Sequence, residues 1–403
     1  YIFSGGHYFE WYRSPLMPFM IFIFSFAGYT ASEYIYVFSV SSLFAFSCQE
    51  FSRKAGFDKS LFYALMLSPF LLNGGLSVGT ELLTLSLLIL FISYLKERKS
   101  AVFMGMGILS RYTAAIFLPL LFFKKNWKEI IFAILVMALV FSPWAAFNYA
   151  EKGHPFYSVA SSSALNVVFR DYYVMSPHLI DFIDPLSFCL FLVIPGLYLA
   201  WKRKFKEMDW TILLFTVLLI LSYFTVPNKE PRYLFNLILP AAYFSYFALD
   251  SIKRLDRKWI IMILVSLNFL TAFLFFYSPQ PPGSLVAAIE ESDDGCMAMS
   301  NVWPAVNYFG LKCQPFPPKH KLDEEISRGK RIILFKSARE PAYVSNQTFL
   351  SGFPNISETN SYVILGNESL CAPKEDVDKS YLESLEDRNL SFYLHPYLPI
   401  VRK

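Results

Sequence analysis

Charge is what this sequence has least of. Only 17% of its 403 residues are charged while 55% are hydrophobic, and an ordinary soluble domain carries about a quarter charged residues. A purely soluble protein is disfavoured. Histidine and cysteine are scarce, five of each, and with no CxxC or paired His/Cys spacing neither a zinc site nor a disulfide scaffold is specified. No Gly-rich phosphate loop, HExxH or GxSxG occurs, so no nucleotide cofactor is expected; the identity of any cofactor, a divalent metal included, is left open. The basic residues come in short clumps between apolar runs, so no nucleic-acid partner is expected either.

What the sequence has in quantity is long apolar runs. A bilayer-spanning helix needs about 20 residues, and ten candidate runs lie near 15–31, 34–51, 60–77, 79–95, 101–123, 129–147, 184–201, 210–226, 232–250 and 258–277. Gly28, Gly74-Gly75 and Ser110-Arg111 interrupt some of them. The clumps Lys124-Lys125-Lys128, Lys202-Arg203-Lys204-Lys206 and Lys253-Arg254-Arg257-Lys258 alternate with the loops 148–183 and 227–231, which marks the clumps as cytoplasmic. An integral, multi-pass membrane protein with its C-terminal part outside the cytoplasm follows. The sequons Asn346, Asn355, Asn367 and Asn389 are confined to that part, as expected if it alone meets a glycosylation machinery. Two clumps, Arg53-Lys54 and Lys96 to Lys99, fall on the wrong side of this count. Either the early helices are tilted or half-length, or the count over 34–123 is off by an even number.

Residues 1–277 thus read as a membrane domain and 284–403 as a small extracytoplasmic α/β domain, joined by Ser278-Pro279-Gln280-Pro281-Pro282-Gly283. In the latter, Ser284–Glu291, Trp303–Gly310 and Tyr381–Arg388 read as helices, and Cys296–Ser300, Arg331–Lys336 and Tyr362–Leu365 as strands. Cys48 and Cys189 lie in apolar runs and read as core. Cys296, Cys313 and Cys371 allow one bridge, with one thiol left over, if the domain faces an oxidising compartment.

Three stretches carry candidate chemistry. In Asn228-Lys229-Glu230-Pro231-Arg232-Tyr233, Pro231 suits a first helical position. The unpaired N–H groups of that turn, with Lys229 and Arg232, would make an anion site at headgroup depth fitted to a phosphate; the alternative is a pair of snorkelling anchors. In Phe9-Glu10-Trp11-Tyr12-Arg13-Ser14-Pro15, a carboxylate and a guanidinium stand among aromatics, where partial desolvation would tune Glu10 for proton transfer; the alternative is an aromatic belt with an incidental Glu10–Arg13 pair. Ser142-Pro143-Trp144 through Gly153-His154-Pro155 opens a long outer loop, in which His154 is a supporting candidate; the alternative is a plain surface histidine. Glu81 and Arg111 are charges inside apolar windows, either functional because intramembrane charge is costly or simply close to a membrane surface.

Phe9-Glu10-Trp11 with Arg13-Ser14-Pro15-Leu16-Met17-Pro18, Ser110-Arg111-Tyr112, Ser142-Pro143-Trp144 with Gly153-His154-Pro155, and Lys229-Glu230-Pro231-Arg232-Tyr233 together resemble the C-type (GT-C) integral-membrane glycosyltransferases. Within them the first and last pieces look like dolichyl-phosphate-mannose-dependent mannosyltransferases. The layout is similar also to protein O-mannosyltransferases and bacterial aminoarabinose transferases. The resemblance covers residues 1–277 and implies a polyprenyl- or dolichyl-phosphate sugar donor, a lipid-linked glycan or protein acceptor, and inversion at the anomeric carbon. It further implies a carboxylate base, for which Glu10 is the acid present, and a phosphate held by Arg13, Lys229, Arg232 and Tyr233 with Glu230 in support. By the family pattern a first spanning helix and an acidic motif precede the position of Tyr1; this chain shows neither, and the first helix is expected to be missing. A lipid-linked-sugar transporter or flippase and a catalytically silent subunit are the alternatives.

Overall fold

The computed structural model describes residues 13–75, 79–124, 126–163, 179–225, 231–252, 256–276, 282–303, 306, 311, 313–317, 319–336 and 342–374. They fall into two compact units, a helical one up to residue 277 and a second one carrying a sheet from residue 278 onward.

The helical unit comprises α1 (Leu16–Phe24), α2 (Tyr29–Ala55), α3 (Lys59–Met66), α4 (Pro69–Gly75), α5 (Glu81–Ser93), α6 (Ser100–Ser110), a 3₁₀ helix (Tyr112–Lys124), α7 (Trp127–Lys152), α8 (Tyr157–Ser163), α9 (Leu179–Leu186), α10 (Leu190–Lys202), α11 (Glu207–Thr225), a 3₁₀ helix (Pro231–Leu237), α12 (Ile238–Asp250) and α13 (Arg257–Thr271). Local chemistry sets the boundaries. Asp58, Asn126 and Asp256 each accept a backbone N–H from the first turn that follows, satisfying a donor the helix cannot. Gly56 and Gly153 end α2 and α7 in the left-handed conformation that a side chain would oppose. Pro143 lies inside α7, which continues to Lys152, so Ser142-Pro143-Trp144 belongs to a helix and does not open a loop. The Ser142 hydroxyl donates to the Leu139 carbonyl at 2.8 Å, replacing the bond that Pro143, lacking an N–H, cannot make.

Among the described residues, four helical stretches are long and apolar enough to cross a membrane: Trp127–Lys152, Phe182–Lys202, Glu207–Thr225 and Arg257–Leu274. Their outward faces are apolar, with Ile134, Leu135 and Leu139 on α7 and Met262, Ile263 and Leu270 on α13 exposed, a surface that suits lipid and not water. By contrast α5 is apolar all round and buried along its length after Glu81, the signature of a central helix. The chain is an integral membrane protein.

The other expected runs are shorter or broken pieces, and this resolves the misplaced clumps. The run 15–31 is not one span. It stops at Gly28 (φ +85°), and the Ser14 hydroxyl reaches the Ser110 carbonyl, so α1 starts at the end of the unit where α6 finishes. The run 101–123 is broken at Arg111, whose extended backbone (φ −156°, ψ 116°) separates α6 from the 3₁₀ helix. One expected crossing drops out and another becomes two. Arg53-Lys54 and Lys96 to Lys99 then share an end with Lys124 and Lys128: Lys54 pairs with Glu97 at 2.7 Å, Lys124 donates to the Glu97 carbonyl, Lys96 pairs with Glu207, Arg98 with Glu129 and Arg257 with Asp58. All five expected basic clumps contribute to this one basic end.

Close packing holds the bundle. Gly196 of α10 lies so near α12 that a Cβ there would sit 1.8 Å from the Phe244 carbonyl oxygen.

The second unit begins with α14 (Pro282–Ser292) and holds β1 (Ala298–Ser300), β2 (Cys313–Pro315), β3 (Arg331–Phe335), β4 (Asn355–Glu358) and β5 (Tyr362–Leu365) in the order β2-β1-β3-β5-β4. The first three are parallel, and β5 runs antiparallel to both β3 and β4. Alternate residues of β3 feed opposite cores, Ile332 and Leu334 into one and Ile333 and Phe335 into the other, as the two-residue period of a strand requires. Cys296 is bridged to Cys371, and Cys313 is the buried thiol left over, where burial raises its pKa well above the ordinary thiol range. The expected helix and strands at 284–291, 296–300, 331–336 and 362–365 are present within a residue or two. Trp303–Gly310 falls mostly, and Tyr381–Arg388 wholly, outside the described residues.

Candidate functional site

The end of the helical unit opposite the basic one gathers the pieces that the sequence scattered. Arg111, at the break between α6 and the 3₁₀ helix, pairs through Nη1 with Glu81 Oε1 at 3.2 Å, both side chains being less than a fifth exposed. Its guanidinium carbon lies 5.2 Å from the ring centroid of Tyr233, and that of Arg232 lies 5.6 Å from the same ring. Two guanidinium groups thus approach one aromatic ring, a placement favoured by the ring quadrupole. Pro231 is the first residue of its helix as expected, but the helix is 3₁₀ through Leu237 before α12 begins. Beside these groups a small cleft, open to solvent, is lined by Thr84, Arg111, Tyr233 and Asn236 together with apolar Phe117 and Leu219.

The neighbouring residue, Tyr112, ties in two more motifs. Trp144 Nε1 donates to Tyr112 Oη at 2.9 Å and to Ser158 Oγ at 2.8 Å, and Tyr112 Oη lies 3.0 Å from Ser158 Oγ and 3.3 Å from the Arg13 carbonyl. Asn148, fully buried, donates to Ser158 Oγ at 3.1 Å. Its Oδ1 and the buried Ser161 Oγ have no hydrogen-bond partner among the described residues. Thr84 and Ser110 share a hydrogen bond at 2.9 Å, which fastens α5 to the last turn of α6 directly below Arg111.

Of the residues expected at the site, the structure therefore brings Arg13, Arg232 and Tyr233 to one end of the bundle. His154 is engaged locally, its Nδ1 accepting the Phe156 N–H. Glu10, Lys229 and Glu230 lie outside the described residues. Sequence reasoning left Glu81 and Arg111 undecided and missed Ser158 and Asn148. The first two carried a signal, a charge in an apolar window; Ser158 and Asn148 carried none. No three His, Cys, Asp or Glu side chains converge as a metal cluster among the described residues.

No family model matches the chain, and no curated protein matches it. Solved structures do. ArnT from Cupriavidus metallidurans bound to undecaprenyl phosphate superposes with a TM-score of 0.59 at 11% identity, over 91% of this chain and 90% of that one. Its apo state gives 0.56 at 11% identity, over 91% and 89%. The chain has the GT-C fold. The likeness runs through both units, so the sheet is covered by it along with the helices, whereas the sequence resemblance stopped at residue 277. At this identity it concerns architecture alone, and what the site does must be argued from its own residues.

Proposed function

We propose that this protein transfers a sugar, mannose or another hexose, from a polyprenyl- or dolichyl-phosphate carrier to a lipid-linked glycan or protein acceptor at the outer membrane face, with inversion. The observation that carries this reading is the convergence of Arg111 and Arg232 on Tyr233 at a cleft with both polar and apolar lining. A carrier lipid presents a phosphate and an isoprenoid chain, and the cleft's lining has a group suited to each, the Arg111 guanidinium and the apolar Phe117 and Leu219. Expelling a phosphate calls for fixed positive charge where negative charge develops. Energy arrives in the sugar–phosphate bond, so no nucleotide is required. The undecaprenyl phosphate bound to ArnT is a carrier of this chemical class.

In this reading Arg13, Lys229, Arg232 and Tyr233 hold the donor phosphate with Glu230 and His154 in support. Glu10 takes the acceptor's proton. The sheet unit, with its Cys296–Cys371 bridge and the exposed sequon residues Asn346 and Asn355, lies outside the cytoplasm, where disulfides persist.

The test is transfer by the reconstituted full chain from polyprenyl-phosphate mannose, followed as released polyprenyl phosphate. Arg232→Lys should lower turnover by about 10²-fold although it keeps the charge, since an ammonium cannot reproduce the guanidinium fork. Glu10→Gln should lower it as much with donor affinity unchanged. Undiminished transfer in Arg232→Ala and Lys229→Ala would reduce these residues to interfacial anchors. Donor binding without transfer would point to a silent subunit. Orientation is read separately with Ser351→Cys and an impermeant thiol reagent on intact cells; labelling only after lysis would reverse the assigned topology.

A further inference from the structure

We propose that Glu81 is a positioning residue that aims Arg111 at a phosphate anion in the cleft and, by its own charge, limits how tightly the spent carrier phosphate is held. The inference rests on the reading of the cleft as a carrier-phosphate site and goes beyond it by assigning the ion pair that site contains.

Glu81 opens α5, so its carboxylate sits at a helix N-terminus, where the helix dipole favours negative charge whether or not a cation is nearby. It is an anchored acceptor. Arg111 reaches it through one nitrogen, Nη1 at 3.2 Å, and not through a two-pronged fork. A guanidinium has five N–H donors. Among the described residues no other side chain or carbonyl accepts from the remaining four, and Arg111 lines the cleft. Unmet donors on a mostly buried cation are costly, and a phosphate entering the cleft supplies three acceptor oxygens. Tyr233, its ring centroid 5.2 Å from the guanidinium carbon, lines the same cleft as Arg111.

The same geometry sets a limit. A phosphate bound to Arg111 comes to share one guanidinium with a fixed carboxylate, and the two anions compete for that one cation, so each weakens the cation's hold on the other. Departure of the polyprenyl phosphate after transfer is thereby eased. A structural pair would behave otherwise: removing its charge would weaken the site or leave it unchanged, never tighten it.

The experiment titrates the reconstituted full chain with undecaprenyl phosphate alone. Glu81→Gln keeps an oxygen that accepts from Nη1 and removes the negative charge. It should tighten binding about five- to tenfold, a change of about 1 to 1.4 kcal/mol, and turnover should become more sensitive to inhibition by added undecaprenyl phosphate. In an Arg111→Ala background the same change should alter affinity by less than about twofold, because the coupling runs through the guanidinium. Unchanged or weaker binding in Glu81→Gln, with the wild-type chain binding normally, overturns this inference and leaves the carrier-phosphate reading standing. A gain that persists without Arg111 also overturns it. Failure of the wild-type chain to bind undecaprenyl phosphate overturns both.

Discussion

The two ends of the helical unit use charge in opposite ways. At the basic end, Lys54, Lys96, Lys99, Arg98 and Arg257 are paired with Glu97, Glu207, Glu129, Asp58 and Asp250 in exposed or half-exposed bridges. Each such exposed pair gains little, about 0 to 1 kcal/mol, because water competes for both partners; two carboxylates at this end are buried instead, Asp209 held by Arg203 and Tyr243 and Glu50 by Arg53 and Tyr94. At the other end a mostly buried pair, Arg111–Glu81, stands beside a cleft, where each charge has paid a desolvation cost that only its partner or a ligand can offset. Most charge at the basic end is exposed and replaceable, and its buried carboxylates are closed off by their own partners; the Arg111–Glu81 pair differs in standing beside a cleft. The number of ionic groups is therefore a poor guide to where function lies.

Reversal of charge breaks this comparison most sharply. Arg111→Glu would set two carboxylates against each other in a low-dielectric setting, and a loss of about 3 to 5 kcal/mol is expected, seen as failure of the chain to accumulate in membranes. Arg98→Glu, opposite Glu129, should cost less than about 1 kcal/mol and leave accumulation normal. Restoring opposite charges with Arg111→Glu and Glu81→Arg together should recover accumulation but not sugar transfer. Equal tolerance of the two single reversals would dissolve the distinction between the ends.

A smaller effect separates the backbone demands of the two ends. Ser142 lies in the part of α7 leading toward Trp144 and the site end, where its hydroxyl serves the carbonyl that Pro143 leaves unpaired. Ser142→Ala should cost about 1 kcal/mol in thermal unfolding in detergent, and Ser142→Ala with Pro143→Ala should regain it, since the alanine at 143 brings back the missing N–H. No recovery in the double variant would mean that Ser142 acts elsewhere.

Much of this was legible in the sequence, and what was not has a common cause. Gly28, Gly74-Gly75 and Ser110-Arg111 stood out as interruptions because glycine and a lone charge disturb an apolar run, and the breaks fall there. The strands 331–336 and 362–365 were readable from their apolar runs; β4 was not, because an edge strand reading Asn355-Ile356-Ser357-Glu358 looks like a turn. The Arg111–Glu81 pair and the Tyr112–Trp144–Ser158 cluster join residues 14 to 46 positions apart, through helix packing that periodicity does not encode. The parity of the crossings was recoverable in principle, since clumps Arg53-Lys54 and Lys96 to Lys99 already contradicted the count. Which two segments compensated, α1 and the broken run at Arg111, needed the structure.

The exposed limit of the comparison lies in the sheet unit, where Lys336 at the end of β3 bonds Glu358 on β4 at 2.9 Å. The lysine lowers the Glu358 pKa below the ordinary carboxylate range, chiefly by that hydrogen bond and then by its charge. A carboxylate whose folded pKa is depressed contributes stability above the unfolded value and loses it as pH falls through the folded one. The contribution should therefore be present at pH 7 and lost in acid, as pH falls through the depressed folded value. Glu358→Gln isolates the charge, because the Lys336 Nζ–Thr359 carbonyl bond at 2.6 Å remains. The measurement is hydrogen exchange at the β4–β5 amides of the whole chain, as the ratio of variant to wild type at each pH. A ratio modestly above one at pH 7 that falls to one in acid is expected, and 0.5 M salt should shrink it as well, since water and ions reach both groups. A ratio that stays constant across pH would show that the two strands are held by their backbone ladder alone, with the pair adding nothing.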